Sequence, residues 1–260
     1  MRSSGAPVSI VTGSSRGIGS AIAEALARDG HRLLLVARSE PLLTERAATL
    51  RAIGAEVEVC ALDLRADGAV AEVVTAAERR FGPPDCVVSN AGTAPSAKVE
   101  DTSDDALREV LDLHVAVPLA FARACAPTMK ARGSGALVHL ASTAGLRGFP
   151  FTSAYTAAKH GMVGLTRALH AELQPKGLCC YAVCPGFVDS DITRRAAAAV
   201  AAKGRTTAAA AHARMGQQNR IGRMHTCEEV AESVAALLRE RPDGCVYELD
   251  REPPGFLDRP

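Results

Sequence analysis

Tryptophan is missing from this 260-residue chain and aromatic residues make up only 3% of it, whereas alanine is abundant, in runs such as Ala196 to Ala199 and Ala208 to Ala211. That bias carries little chemistry, so function has to be sought in a few polar residues set at special places. An excess of one charge is also missing. With a net charge of +1, the chain lacks the concentrated basic surface that nucleic acid or anionic lipid requires, and neither is an expected partner. No uninterrupted apolar run approaches membrane-spanning length, and the first apolar stretch, Val8 to Val11, is too short for a signal peptide. A cytoplasmic location is expected. Metal-ligand spacing is absent among the eight cysteines: the cluster Cys179, Cys180 and Cys184 has no second Cys or His pair beside it. Buried free thiols and no metal site follow. Finally, no Pro/Ser-rich linker divides the sequence, which reads as one domain over 1–260.

What is present is an alternation of apolar, β-branched runs with segments of helical period. Strands are predicted at 8–12, 32–37, 56–62, 86–89, 136–141, 178–183 and 245–249. Helices are predicted between them at 20–28, 41–53, 68–80, 103–130 (one long helix), 152–174 and 227–240. Strands that are apolar throughout and separated by helices imply an α/β fold, a doubly wound parallel sheet of about seven strands with helices on both faces. The long irregular stretch at 185–224 exceeds an ordinary connection and reads as a lid carrying short helices.

Within the 152–174 helix, Tyr155 and Lys159 are four residues apart with no Pro or Gly between them, so both project from one face. A free phenol is only about 0.1% ionised at neutral pH, and lowering its pKa to about 7 takes roughly 4 kcal/mol. An ammonium one turn away supplies part of that, which makes the pair a candidate acid/base for a carbonyl or an alcohol.

Open α/β sheets bind ligands beyond the carboxyl ends of their strands. The turn after the first strand carries Gly13, Ser15, Arg16, Gly17, Ile18 and Gly19 and opens a helix, so its backbone can approach a pyrophosphate at a helix N-terminus. After the second strand, where an acidic residue would select NAD, the chain has Ala37 and Arg38. Arg38 with Arg16 could grip a 2′-phosphate, which points to NADP(H). Asp63 and Leu64 end the third strand, Asn90-Ala91-Gly92 the fourth, Ser142 the fifth and Pro185-Gly186 the sixth. Asn90 is equally suited to satisfying loop backbone. The Ser142 hydroxyl could bond a substrate oxygen presented to Tyr155.

In this ordered combination the chain resembles the short-chain dehydrogenase/reductases of the single-domain type, over about residues 8–249. The motifs are the 12–19 turn, Asp63-Leu64, Asn90-Ala91-Gly92, Ser142 thirteen residues before Tyr155, the Tyr155/Lys159 pair and Pro185-Gly186. The resemblance implies a Rossmann fold in which Tyr155 is the acid/base, Ser142 orients the carbonyl, and Lys159 holds the nicotinamide ribose and lowers the phenol pKa. It also implies that Val188 and Ser190, beyond Gly186, join the cofactor-binding set with Tyr155 and Lys159. Two departures stand out. His114 occupies the central-helix position where the family usually has an Asn that kinks the helix and holds a relay water; imidazole can also donate and accept, so a relay role is a candidate for it. The C-terminal Arg251-Glu252-Pro253-Pro254-Gly255 replaces the usual Asp-Gly-Gly stretch, which bears on the expected homo-oligomer, a dimer or tetramer.

The expected substrate is a small-molecule ketone or secondary alcohol. Leu146, Phe149, Phe151, Phe187 and Met215 are its candidate lining, with core packing an equal claim on each. Gly222-Arg223-Met224 and Glu228-Glu229-Val230-Ala231 look most like 3-oxoacyl carrier-protein reductases and polyketide ketoreductases. Lys130, Arg132 and Lys176 could then face an acidic carrier protein, or be simply solvated. Two other classes stay open: a catalytically silent NADP(H)-binding sensor or scaffold, and an isomerase or dehydratase that keeps its nicotinamide bound.

Overall fold

The computed structural model describes residues 5–202, 204 and 206–258. Positions 203 and 205 of the expected lid, the first four residues and the last two lie outside it. The chain order is β1 (Val8–Thr12), α1 (Gly17–Arg28), β2 (Arg32–Ala37), α2 (Glu40–Ala52), β3 (Val57–Ala61), α3 (Ala69–Phe81), β4 (Cys86–Ser89), α4 (Asp104–Leu111), α5 (Val117–Arg132), β5 (Gly135–Leu140), α6 (Ser153–Leu173), β6 (Leu178–Cys184), α7 (Asp191–Ala201), α8 (Ala208–Gly216), α9 (Cys227–Glu240), β7 (Val246–Glu248) and β8 (Gly255–Phe256).

The strands form one sheet in the order β3-β2-β1-β4-β5-β6-β7-β8, parallel except for the last pair. The order reverses between β1 and β4, and the crevice at such a switch point is where an open sheet takes its ligand. Strands β1, β4 and β5 are buried along their whole length, because helices cover both faces. On one face Val11, Leu33, Leu35, Val88 and Val183 pack with Ile22 and Leu26 of α1, Leu43 and Leu50 of α2, and Val230 and Val234 of α9. On the other, Ile10, Leu34, Val87 and Leu137 pack with Val73 of α3, Phe121 and Met129 of α5, and Leu169 and Leu173 of α6. Each fully buried side chain of this size contributes about 1.5–3 kcal/mol, so the sheet is a rigid floor for the loops at its carboxyl edge.

Two features differ from the sequence-based expectation and a third agrees with it. The predicted 103–130 helix is a rod in three parts, with a π-turn at Asp112–Ala116 between α4 and α5. The Val117 N–H donates to the Asp112 carbonyl, one residue further back than in an α-turn, and Pro118 has no N–H to return to His114. By length and composition this rod, Asp104–Arg132, is apolar enough to cross a membrane, although no single run of its sequence is; nearly half of its most apolar window is buried against the rest of the chain. Secondly, the tail adds an eighth strand. The Gly255 and Phe256 residues of β8 pair antiparallel with Glu248 and Tyr247 of β7, and Phe256 packs so closely under Gly244 that a Cβ there would lie 2.5 Å from its ring. As expected, the 185–224 stretch carries short helices, α7 and α8, packed on each other.

Candidate functional site

The glycine turn is built by contacts across the β1/β4 switch. Asn90 Nδ2 donates to the Thr12 carbonyl at 2.9 Å and the Gly13 carbonyl at 3.2 Å, while Thr12 Oγ1 accepts from the N–H groups of Asn90 (2.9 Å) and Ala91 (3.0 Å). Of the two roles open to Asn90, its side chain therefore fills the structural one. A Cβ on Gly13 would meet Asn90 Nδ2 at 2.8 Å, and one on Gly19 would meet the Gly13 carbonyl oxygen at 2.3 Å, so these glycines are required by close backbone approach. Gly17 differs: its φ is +55° and nothing lies within 4 Å of the Cβ position. This leaves the N-terminus of α1, which has no acidic residue in its first turn and no side-chain cap, open to an anion of pyrophosphate shape. The residues present fit a dinucleotide.

Around that turn the charges are distributed differently from expectation. Arg16 pairs with Asp191 of α7 at 3.4 Å, with both side chains about half exposed. Such a pair is worth about 0–1 kcal/mol and ties the start of α7 to the glycine turn. Arg38 is exposed just after β2 and makes no hydrogen bond or ion pair among the described residues, its charge reaching Asp63 only through space, which leaves its guanidinium ready for a phosphate. Asp63 is clamped by Arg65, with contacts of 2.6–3.2 Å, and that guanidinium together with Arg38 holds its carboxyl down at about 2. Leu64 beside it is buried.

At the carboxyl ends of β5 and β6 the acid/base candidates converge. Ser142 begins a short 3₁₀ turn, its Oγ accepting from the Ala144 N–H at 3.1 Å. The Thr143 N–H donates to the Pro185 carbonyl at 2.9 Å, which locks this turn to the end of β6. Tyr155 and Lys159 share one face of α6, with Nζ 5.6 Å from the phenol ring centroid. Lys159 is only 4% exposed and donates to the Leu140 carbonyl. Burial decides the protonation of this pair. It pushes the Tyr155 phenol up to about 12 against the hydrogen-bonding pull of Ser142, and it pushes Lys159 down to about 7. Desolvation is the largest influence on the phenol and the Ser142 hydrogen bond the next, so the hydroxyl stays above its ordinary range. The pair holds a neutral phenol, which is the form that donates a proton.

His114 lies edge-on to Tyr155, ring centroids 5.6 Å apart. A Cβ on Gly92 would sit 2.1 Å from its Cε1, so Gly92 is the space into which the π-turn delivers the imidazole. His114 Nε2 is 2.9 Å from the Thr93 carbonyl, and burial holds its pKa down at about 3. The ring is neutral.

Of the expected substrate lining, Phe149 and Phe187 meet edge to face with centroids 6.1 Å apart. Leu146 packs instead against a core cluster with Ala141, Met162 and Cys184. Phe151 is 62% exposed with φ +64°, and its carbonyl accepts from the Ala97 N–H at 2.9 Å, tying the loops after β4 and β5 together. Val188 is buried and forms a bridge with His225, and the Ser190 N–H donates to Thr193 Oγ1 at 3.0 Å at the start of α7; both shape the entry into α7. Asn219 is a site residue that sequence reasoning misses. It is buried, receives the Phe187 N–H at 2.7 Å and donates to the carbonyls of Phe187 (2.8 Å) and Arg223 (2.7 Å), and a Cβ on Gly186 would collide with its Oδ1 at 2.3 Å. Its polar neighbours Gln217, Gln218 and Arg220 hide it in the sequence. His139, the one polar residue of β5, has a signal in that very isolation.

Comparisons with known proteins agree with this geometry. The family model described as short chain dehydrogenase matches residues 7–201. A putative ketoacyl reductase of the monensin polyketide synthase from Streptomyces virginiae is 37% identical over 92% of this chain and 93% of its own length. A 3beta-hydroxysteroid dehydrogenase from Mediterraneibacter gnavus is 33% identical over 74% of this chain and 69% of its own. Among solved structures, a single-residue variant of actinorhodin polyketide ketoreductase with NADPH superposes with a TM-score of 0.89 at 30% identity, covering 94% of this chain and 95% of that one. L-Sorbose reductase from Gluconobacter frateurii, complexed with NADPH and L-sorbose, gives 0.88 at 27% identity over 98% of both chains. With the family model covering most of the sequence, the chain belongs to the short chain dehydrogenase family of oxidoreductases.

Proposed function

We propose that this chain is an NADP(H)-dependent reductase of ketones, running in reverse as a dehydrogenase of secondary alcohols, with a 3-oxoacyl or polyketide-like substrate. One observation carries the reading: Tyr155 and Lys159 share one face of α6, with Ser142 beside the phenol, at the same sheet edge as an open glycine turn. The NADPH complexes of the structural neighbours and the ketoacyl reductase relatives support the choice of cofactor and substrate class.

In this reading Gly13, Ser15, Gly17, Ile18 and Gly19 hold the pyrophosphate region, and Arg38 holds the 2′-phosphate, joined by Arg16 when it leaves its exposed pair with Asp191. The segments at Asp63-Leu64, Asn90-Ala91-Gly92 and Pro185-Gly186 with Val188 and Ser190 complete the cleft, and Lys159 holds the nicotinamide ribose. When bound, the nicotinamide supplies or accepts the hydride. Ser142 Oγ orients the substrate carbonyl, and the Tyr155 hydroxyl donates its proton to the oxygen as negative charge develops there. Lys159 stabilises the resulting phenolate. His114 takes the water-holding place of the family Asn in returning a proton. Exposed Leu107, Leu111 and Leu119 along the α4–α5 rod support self-association as a homo-oligomer.

The test is reduction of an acetoacetyl thioester and a panel of cyclic ketones, following nucleotide consumption with NADPH and NADH. NADPH should be preferred, and Arg38→Ala should narrow that preference about ten- to a hundredfold, the worth of one charge-assisted hydrogen bond. Tight NADPH binding with no consumption on any ketone or alcohol would favour the sensor reading instead.

A further inference from the structure

On the sheet face beneath α6, His139 of β5 is completely buried and plays no part in the chemistry above. Thr166 Oγ1 donates its proton to the Met162 carbonyl at 2.7 Å. At 2.8 Å from His139 Nδ1 it can therefore only accept, which fixes the ring with its proton on Nδ1 and leaves Nε2 as a bare acceptor. That Nε2 is buried without a partner among the described residues. The same logic applies to His114: its Nε2 faces a carbonyl that has no proton to give, so Nδ1 is the bare acceptor, and it too is buried without a partner among the described residues. Ser89 Oγ is a third such atom. Ser89 and His139 are register partners on β4 and β5, and Val87 and Leu137, two residues earlier, both face the α5/α6 side, so strand alternation puts Ser89 and His139 on that side together.

The stripe of α6 that grips His139 also carries Lys159. Lys159, Met162 and Thr166 follow one another at helical spacing, Nζ donates to the carbonyl of Leu140, the residue after His139, and the lysine charge acts on both histidines. An ammonium has three donors; Leu140 takes one, and the Met162 sulfur, 3.9 Å from Nζ, faces a second as a weak acceptor. The lysine charge reaches both imidazoles, and Ser89 lies beside His139 on the same sheet side; lone pairs and a hydroxyl of this kind are what a bridging water satisfies, since such a water needs two to four polar partners.

We propose that His139 is a positioning residue for Lys159: its Nε2 lone pair, oriented by Thr166, accepts from the Lys159 ammonium through a water shared with Ser89 Oγ and keeps that ammonium protonated and aimed at Tyr155. The titratable groups facing Lys159 are Tyr155 on its own helix, His114 from the π-turn, His139 from β5 and Cys184 from β6. Burial holds the two histidines down at about 3 and about 4 and pushes the phenol and the thiol up to about 12. None of the four supplies a charge near neutrality, so the Lys159 titration stands alone over that range. Further out, Glu248 and Arg167 act on the Cys184 thiol. The proposal rests on the oxidoreductase reading only for its effect on turnover.

The experiment titrates the protein with its lysines labelled with carbon-13 at Cε, using Lys159→Arg to assign the Lys159 signal. His139→Leu should lower the Lys159 pKa by about one unit or more, the scale of one lost hydrogen bond to a charged group. His139→Gln, which restores an acceptor, should bring it back most of the way. An unchanged Lys159 titration in folded His139→Leu overturns the proposal. If that variant does not fold, Thr166→Val, which releases the tautomer, takes its place, and an unchanged titration there overturns it equally. In ketone reduction by NADPH, the basic limb of kcat against pH should move down by the same amount with KM for NADPH unchanged. Packing loss alone would lower kcat equally at every pH. A shifted titration with an unshifted kinetic limb would leave the positioning role standing and remove Lys159 from the proposed reaction.

Discussion

The two ends of the sheet treat polar groups in opposite ways. At the amino ends, Asp85 accepts the Val8 N–H at 2.8 Å and pairs with Arg132 at 3.2 Å, Arg132 also donates to the Pro84 carbonyl at 2.9 Å, and Ser9 Oγ meets His31 Nδ1 at 2.7 Å. At the carboxyl ends, Ser89 Oγ, Thr93 Oγ1, His114 Nδ1 and His139 Nε2 are buried with no partner among the described residues, and a lysine and a tyrosine share a desolvated site. A polar group that stabilises a fold has its partners inside the fold. One that serves chemistry keeps a donor or acceptor open, at a cost of about 1–3 kcal/mol each, and the well-paired end together with the apolar core offsets that cost.

The largest consequence is acid sensitivity at the carboxyl end. His114 and His139 have folded-state values of about 3 and about 4, below the unfolded value of about 6.5. The unfolded chain therefore takes up protons first as pH falls through about 6.5, so stability is full above that value and is lost on acidification toward about 4. Two such groups remove roughly 4 kcal/mol between pH 7 and pH 5, a window above the titration of the unfolded carboxylates. Urea unfolding at the two pH values measures it, and the double variant His114→Asn/His139→Asn should lose most of the difference.

Next in size is Tyr155→Phe, which removes only a hydroxyl. We expect kcat to fall by about two orders of magnitude or more, with melting temperature and NADPH affinity unchanged. Retention of half the turnover with chemistry rate-limiting would erase the contrast between the two ends. Asp85→Ala probes the opposite end. It strands a backbone donor and a guanidinium, so stability should drop by about 1–3 kcal/mol while kcat and KM stay at their wild-type values. Smallest is His114. His114→Ala should slow turnover about tenfold, the scale of one hydrogen bond, and His114→Asn should recover most of it. If the alanine variant keeps both wild-type rate and solvent isotope effect from pH 6 to 9, with its melting temperature compared alongside, the imidazole is a packing residue.

The sequence is most legible where one physical demand acts alone. Strands β1, β2 and β4 and helix α9 begin and end where their apolar runs do, because a strand covered on both faces has to be apolar along its length. Helix α1 starts earlier than its periodicity suggests, at Gly17 rather than at residue 20. Glycine has poor helix propensity, and nothing local reveals that Gly19 is there for close backbone approach or that Gly17 keeps the turn open. Strand β8 is two residues long, too short for any periodicity to show.

Residue identity and spacing by themselves determined the parallel α/β order, the glycine turn and the placing of Tyr155 and Lys159 on one helical face, since each follows from local rules of period and sterics. Which groups are charged was decided only by the tertiary structure. Whether Lys159 sits near about 7, Tyr155 near about 12 and His139 near about 4 depends on burial beneath α6 and on partners such as Thr166, 27 residues from His139 in the chain. Protonation reports the surroundings of a group, and those are assembled from strands and helices far apart in sequence.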